Sequence, residues 1–152
     1  MRIEPLADHP HLIPTLARWH LAEWGHKSPA RSLETAEARL HGHLRRDAIP
    51  LTLVALEEGR ALGSAALICQ DMRTRPELTP WLADVVVDPG LRGRGIGSEL
   101  VRFALAKARE LGVARLYLFT PDRERLYARL GFAVLERTDY RGEAVVIMGT
   151  TP

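Results

Sequence analysis

Cysteine is almost absent from this chain of 152 residues: Cys69 stands alone. A single cysteine closes no intramolecular disulfide and supplies no thiolate zinc site by itself, so no metal is expected. No apolar run approaches the roughly 18–20 residues that a bilayer core demands, so no membrane partner is expected either. Met1-Arg2-Ile3-Glu4-Pro5 has no apolar stretch behind its basic start, which argues against a secretory leader, and the chain reads as cytoplasmic. Aromatic residues make up 6% of the chain, and lysine occurs only at positions 27 and 107. Aliphatic residues are plentiful instead. With 46% hydrophobic and 26% charged residues, intrinsic disorder is excluded and an ordinary globular domain spanning 1–152 is expected.

The net charge is only +2, but it is unevenly spread. Residues 1–90 carry −2, residues 91–131 carry +5 and residues 132–152 carry −1. A basic segment in a nearly neutral chain suggests an anionic ligand held by one part of the fold. The competing reading is that these arginines only solvate two helices. A nucleic-acid partner is the weaker alternative, because the arginines are not interleaved with aromatics and the rest of the chain is slightly acidic.

The spacing of apolar residues predicts the element order. Residues 2–6 form a short strand. Leu12, Ile13, Leu16, Trp19, Leu21 and Trp24 form one face of a helix ending near Gly25. A second helix begins after Ser32, with Leu33, Ala36, Leu40 and Leu44 on one face. Leu51–Leu56 and Ala61–Cys69 read as a hairpin around Glu58-Gly59-Arg60, followed by a loop over Asp71–Pro80. Trp81–Val87 is an apolar strand interrupted by Asp84 and stopped by Asp88-Pro89-Gly90. Arg92–Gly97 opens a long helix ending at Gly112, and Arg115–Phe119 is the next strand. Thr120-Pro121 reads as the N-cap and first position of a short helix running to Leu130. Phe132–Arg137 and Ala144–Met148 close the chain around a turn near Tyr140–Gly142. The fold class is therefore α/β, with order β-α-α-β-β-β-α-β-α-β-β and helices against a mixed sheet.

Arg92-Gly93-Arg94-Gly95-Ile96-Gly97-Ser98 is the most informative segment. Alternating glycines between a buried strand and a helix N-terminus expose backbone amides that favour an anion. It is not a P-loop, because no Gly-Lys-Ser/Thr follows at the required spacing. It is not a dinucleotide fingerprint, because Ser98 occupies the place of the third glycine. A turn that merely starts a helix is the plain alternative.

The segment resembles the Arg/Gln-x-x-Gly-x-Gly/Ala signature of the GNAT family of N-acetyltransferases. Tyr127-Ala128-Arg129-Leu130-Gly131-Phe132 is similar to that family's Tyr-x-x-Leu-Gly-Phe segment. The element order agrees along nearly the whole chain. The resemblance implies a splayed sheet with pantetheine between Trp81–Val87 and Arg115–Phe119, backbone pairing at Val85, Val86 and Val87, and a pyrophosphate cradle from Arg92 to Ser98. It also implies acetyl-coenzyme A as cosubstrate and Tyr127 as the acid that meets the leaving thiolate. Where many members carry Asn after the second of these strands, this chain has Thr120. A weaker similarity, resting on Leu91–Gly95, Thr120, Asp122 and Trp24, is to the actin N-terminal acetyltransferase and its prokaryotic relatives.

Acetyl transfer to an amine needs a neutral nitrogen, donors for the carbonyl oxygen and a proton for the sulfur. Asp84 is the one carboxylate inside an apolar strand and is a candidate base; an ion pair with an arginine, or a water relay, competes with that role. Glu23 and Trp24, at the end of the first long helix, are candidate substrate contacts, and Trp81 is either core or the floor of the acceptor pocket. Tyr127 is otherwise an aromatic residue on a buried helix face with its hydroxyl on a backbone partner. The six histidines read as solvated or locally hydrogen-bonded, and Cys69 as a buried inert thiol. The function expected is direct acetyl transfer in a ternary complex with an amine, either a small molecule or a peptide terminus. A non-catalytic acyl-coenzyme A-binding module of the same fold is the alternative. The identity of the acceptor and the oligomeric state stay open.

Overall fold

The computed structural model describes all of residues 1–152. Its strands are β1 (Arg2–Pro5), β2 (Leu51–Glu57), β3 (Arg60–Ile68), β4 (Trp81–Val87), β5 (Leu116–Thr120), β6 (Ala133–Tyr140) and β7 (Glu143–Thr150). They form one sheet of order β1-β2-β3-β4-β5-β7-β6. Every neighbouring pair is antiparallel except β4 and β5. The helices are α1 (Ile13–Trp24), α2 (Leu33–His41), α3 (Ile96–Glu110) and α4 (Glu124–Arg129). The predicted order is observed.

Alternation along the strands explains the two layers of core. Leu51, Leu53 and Ala55 of β2 face α3 and pack with Leu100, Val101, Ala104 and Ala108. Val54 and Leu56 face the other way, onto Ile13, Leu16 and Ala17 of α1 and Leu40 of α2. A side-chain period of two thus serves two helix layers from one strand. At Gly63 a Cβ would stand 2.7 Å from Val86 O and 3.0 Å from Leu100 Cδ1. Only glycine lets β3, β4 and α3 approach this closely.

Several expectations need correction. The second helix ends at His41, so Leu44 lies beyond it and packs from the following loop. β3 ends at Ile68, which leaves Cys69 exposed rather than buried. Thr120 is not a helix N-cap: it is the last residue of β5, paired with Val146, and α4 begins at Glu124. Its hydroxyl nevertheless accepts hydrogen bonds from the amides of Asp122 (3.3 Å) and Arg123 (3.0 Å), ordering the turn into α4.

Candidate active site

The parallel pair β4–β5 meets only at Trp81↔Tyr117 and then parts. The cause lies in β4. Ser64 pairs with Val86 and Ala66 with Ala83, so Asp84 and Val85 together oppose the single residue Ala65. This bulge bends β4, and it holds Asp84 at φ +55°, a region that aspartate tolerates better than most residues. Beyond the bulge, the edge of β4 facing β5 has no strand partner through Val85, Val86 and Val87. A cleft of about 880 Å³ opens there.

One wall of the cleft is the glycine-rich turn. The Asp88 carboxylate accepts from Gly90 N at 2.9 Å and from Arg60 at 3.1 Å, and the amide bond holds its pKa below the usual carboxylate range. Gly93 and Gly95 follow at φ +81° and +79°, and a Cβ at either would meet nothing within 4 Å. The helical bonding of α3 starts with Glu99 N to Gly95 O at 3.1 Å. The amides of Ile96, Gly97 and Ser98 therefore project from the helix end without intrahelical partners, where the helix dipole favours an anion. Arg92, Gly93, Gly95, Ile96, Gly97 and Ser98 line the cleft; Arg94 is exposed and is not among the lining residues.

Tyr127 lines the opposite wall from α4. Its ring packs edge-on against Phe132, with centroids 6.0 Å apart, and the residue is 9% exposed. Its hydroxyl reaches no protein partner, backbone or otherwise. Burial pushes its pKa up to about 12, so it stays protonated at any physiological pH. Glu124 and Arg137, paired at 2.7 and 3.0 Å, tie α4 to β6.

The open end of the cleft gathers charges from distant segments. Asp84 is paired with Arg39: Nη1 donates to Oδ1 at 3.2 Å, while Nη2 stands 3.1 Å from Oδ2 outside hydrogen-bonding direction. Glu23 and Trp24 line this end, and Glu23 meets Arg92 at 3.4 Å, joining α1 to the glycine-rich turn. Asp71, which nothing in the sequence marks beyond an acid just after a strand, also lines it. Burial and the neighbouring Asp84 carboxylate push Asp71 up to about 7, against the pull of Arg39, Arg31 and Arg141.

Other candidates fall outside the cleft. Trp81 is fully buried, its indole N–H donating to Leu78 O at 2.6 Å, and it is core rather than pocket floor. His20 is neither solvated nor hydrogen-bonded: its Nε2 is buried without a partner, its ring lies edge-on to Trp24, and burial lowers its pKa. His43 lies past the end of α2, bonded to Thr52 at 2.9 Å, and burial lowers its pKa to about 4. Cys69 is not among the lining residues.

Comparison with known proteins places the chain in a family and agrees with the fold. A family model described as Acetyltransferase (GNAT) family matches residues 13–132. Glucosamine 6-phosphate N-acetyltransferase of Trypanosoma brucei brucei is 34% identical over 122 residues, which covers 78% of this chain and 83% of that protein. Ribosomal-protein-alanine N-acetyltransferase from Brucella melitensis superposes with a TM-score of 0.80 at 20% identity, over 100% of both chains. An aminoglycoside 6'-N-acetyltransferase complexed with coenzyme A superposes at 0.76 with 17% identity, over 99% of this chain and 97% of that one. At such identities, the two structures speak for the fold.

Proposed function

The chain belongs to the GNAT family of acetyltransferases, whose matched relatives are named as enzymes, and we propose that it moves acetyl from acetyl-coenzyme A to a primary amine by direct attack in a ternary complex. One observation carries this reading: the glycine-rich turn, the unpaired edge of β4 and Tyr127 all line a single cleft where the sheet parts. The open space above Gly93 and Gly95 is what a diphosphate resting on bare amides requires. The backbone from Arg92 through Arg94 to Ser98 holds that pyrophosphate. The edge at Val85, Val86 and Val87 pairs with pantetheine as an added strand would. The Thr120 hydroxyl accepts from two amides and keeps its own proton to donate toward the cofactor.

Bound acetyl-coenzyme A supplies an activated acyl thioester. A nitrogen–carbon bond forms and the carbon–sulfur bond breaks. The acceptor enters as an ammonium, gives one proton to Asp71 before attack, and loses a second that ends on sulfur. A carboxyl near pH 7 is suited to that first transfer, being half ionised at neutral pH. Asp84, tied to Arg39, positions that arginine beside Asp71; its ion pair supports this role over that of base. Tyr127 donates a hydrogen bond to sulfur. A thiol titrates near ~8.5, so full proton transfer from a phenol at about 12 is uphill, and the bond strengthens as sulfur gains charge. Glu23 and Trp24 form the acceptor side. Direct attack is favoured because the one thiol of the chain lies outside the cleft.

Thiol release from acetyl-coenzyme A across an amine panel, with mass spectrometry of the acceptor, tests the proposal. Amine-dependent release with one acetyl group added is expected. Tight coenzyme A binding without release for any amine would favour a non-catalytic module.

A further inference from the structure

The charges at the open end of the cleft do not cancel in pairs. Lys27 meets Glu143 at 2.9 Å, Arg39 meets Asp84 at 3.1 Å and Arg92 meets Glu23 at 3.4 Å. Asp71, Arg31 and Arg141 also line the cleft, and none of them takes part in an ion pair. Arg31 lies in the loop before α2, where its Nη1 donates to Trp24 O at 3.2 Å. Arg141 sits at the tip between β6 and β7, its guanidinium 5.2 Å from the centre of the Tyr140 ring. Each is thus anchored by a neutral group that leaves its charge unspent. Both line the same cleft as Asp71 and their charges favour its ionised form, so two segments remote in sequence meet in one cleft with that carboxylate.

Resting on the acetyl-transfer reading above, we propose that the acceptor is a primary amine bearing its own anionic group, a phosphate or a carboxylate, with Arg31 and Arg141 clamping the anion and Asp71 receiving the ammonium. The arithmetic of charge is the reason. Two free guanidiniums and one free carboxylate are complemented in full by an ammonium with a phosphate of about −2, and to within one charge by an ammonium with a carboxylate. A polycationic amine meets the opposite situation, since each further ammonium faces an unpaired guanidinium and only one carboxylate is free. Guanidiniums suit oxyanions in particular, because their planar fork gives paired, charge-assisted hydrogen bonds to phosphate or carboxylate oxygens.

The test compares matched acceptors by thiol release: glucosamine 6-phosphate against glucosamine, and alanine against alaninamide. Wild-type protein should favour the anionic member of at least one pair by about ten- to a hundredfold in kcat/KM, the value of a charge-assisted contact. The first pair reports phosphate and the second carboxylate. In the double variant Arg31→Gln/Arg141→Gln the preference should disappear, mostly through KM. Titrating the same four compounds into the protein–coenzyme A complex by calorimetry reads the preference without turnover. Equal or better use of the neutral members in both pairs overturns the proposal, as does a preference that survives the double variant. Neutral amines acetylated as readily as anionic ones sink the clamp alone, whereas no amine-dependent release with any of the four compounds or across the wider amine panel sinks the acetyl-transfer reading.

Discussion

Replacing Tyr127 by Phe removes one oxygen and keeps the ring. The edge-on contact with Phe132 at 6.0 Å survives, and the hydroxyl has no protein partner to leave unsatisfied. Stability should therefore change by less than about 0.5 kcal/mol, which moves Tm by no more than about 2 °C in a chain of this size. Turnover should respond very differently. A positioned donor to charge that develops only as the carbon–sulfur bond breaks is worth about 10²–10³-fold in kcat. Acetyl-coenzyme A affinity should fall only slightly, because the ground-state thioester sulfur is a poor acceptor. The pH profile gives a second handle. With the phenol pushed up to about 12, wild-type turnover should show no alkaline limb from this residue below that value. Steady-state kinetics and a melting curve on one preparation suffice. A variant that loses several degrees in Tm yet turns over normally would refute the donor role and make Tyr127 a structural residue.

Further outcomes follow from the same geometry. Gly97→Ala adds a Cβ that meets only Val87 Cγ2, at an ordinary 3.6 Å, so Tm should hold while coenzyme A affinity measured by calorimetry falls at least about tenfold. Gly95→Val should lose both, because a side chain at φ +79° adds strain of about 1–2 kcal/mol or more. Gly63→Ala forces a Cβ to within 2.7 Å of Val86 O and should lower stability by about 1–3 kcal/mol, or roughly 2–10 °C in Tm by calorimetric scan. Asp71 carries a pKa raised to about 7, so the folded state holds its proton where the unfolded chain has released it. That contribution favours folding at low pH and is lost as pH climbs from about 4 to 7. Asp71→Asn should therefore gain stability relative to wild type as pH rises through this window, read by paired melting curves, while kcat/KM loses its acid limb near neutrality.

The glycine-rich turn and Tyr127 were legible because each is a local signal: bare amides at a helix start, and an aromatic in a short helix before Gly131-Phe132. Their meeting in one cleft was legible only through the family resemblance, since register between β4 and β5 is a long-range property. Thr120 misled because Thr-Pro is a strong local capping signal, yet pairing with Val146 keeps the residue in the sheet. Cys69 misled because the apolar run of β3 ends one residue earlier, where the chain turns into its loop. Trp81 was ambiguous in sequence, and the indole bond to Leu78 O resolves it as core. Asp71, Arg31 and Arg141 carry no signature, for they sit in three connecting segments brought together only when the sheet and α2 are in place.

Backbone amide shifts of isotopically labelled protein, followed during titration with acetyl-coenzyme A, test most directly whether the gap between β4 and β5 holds the cofactor. The account predicts a saturable response concentrated in Ala83–Val87, Arg92–Ser98 and Leu118–Arg123. No response, or one centred on the adjoining groove at Glu124, Arg125, Arg137 and Val146 and sparing Ala83–Val87 and Arg92–Ser98, would contradict it.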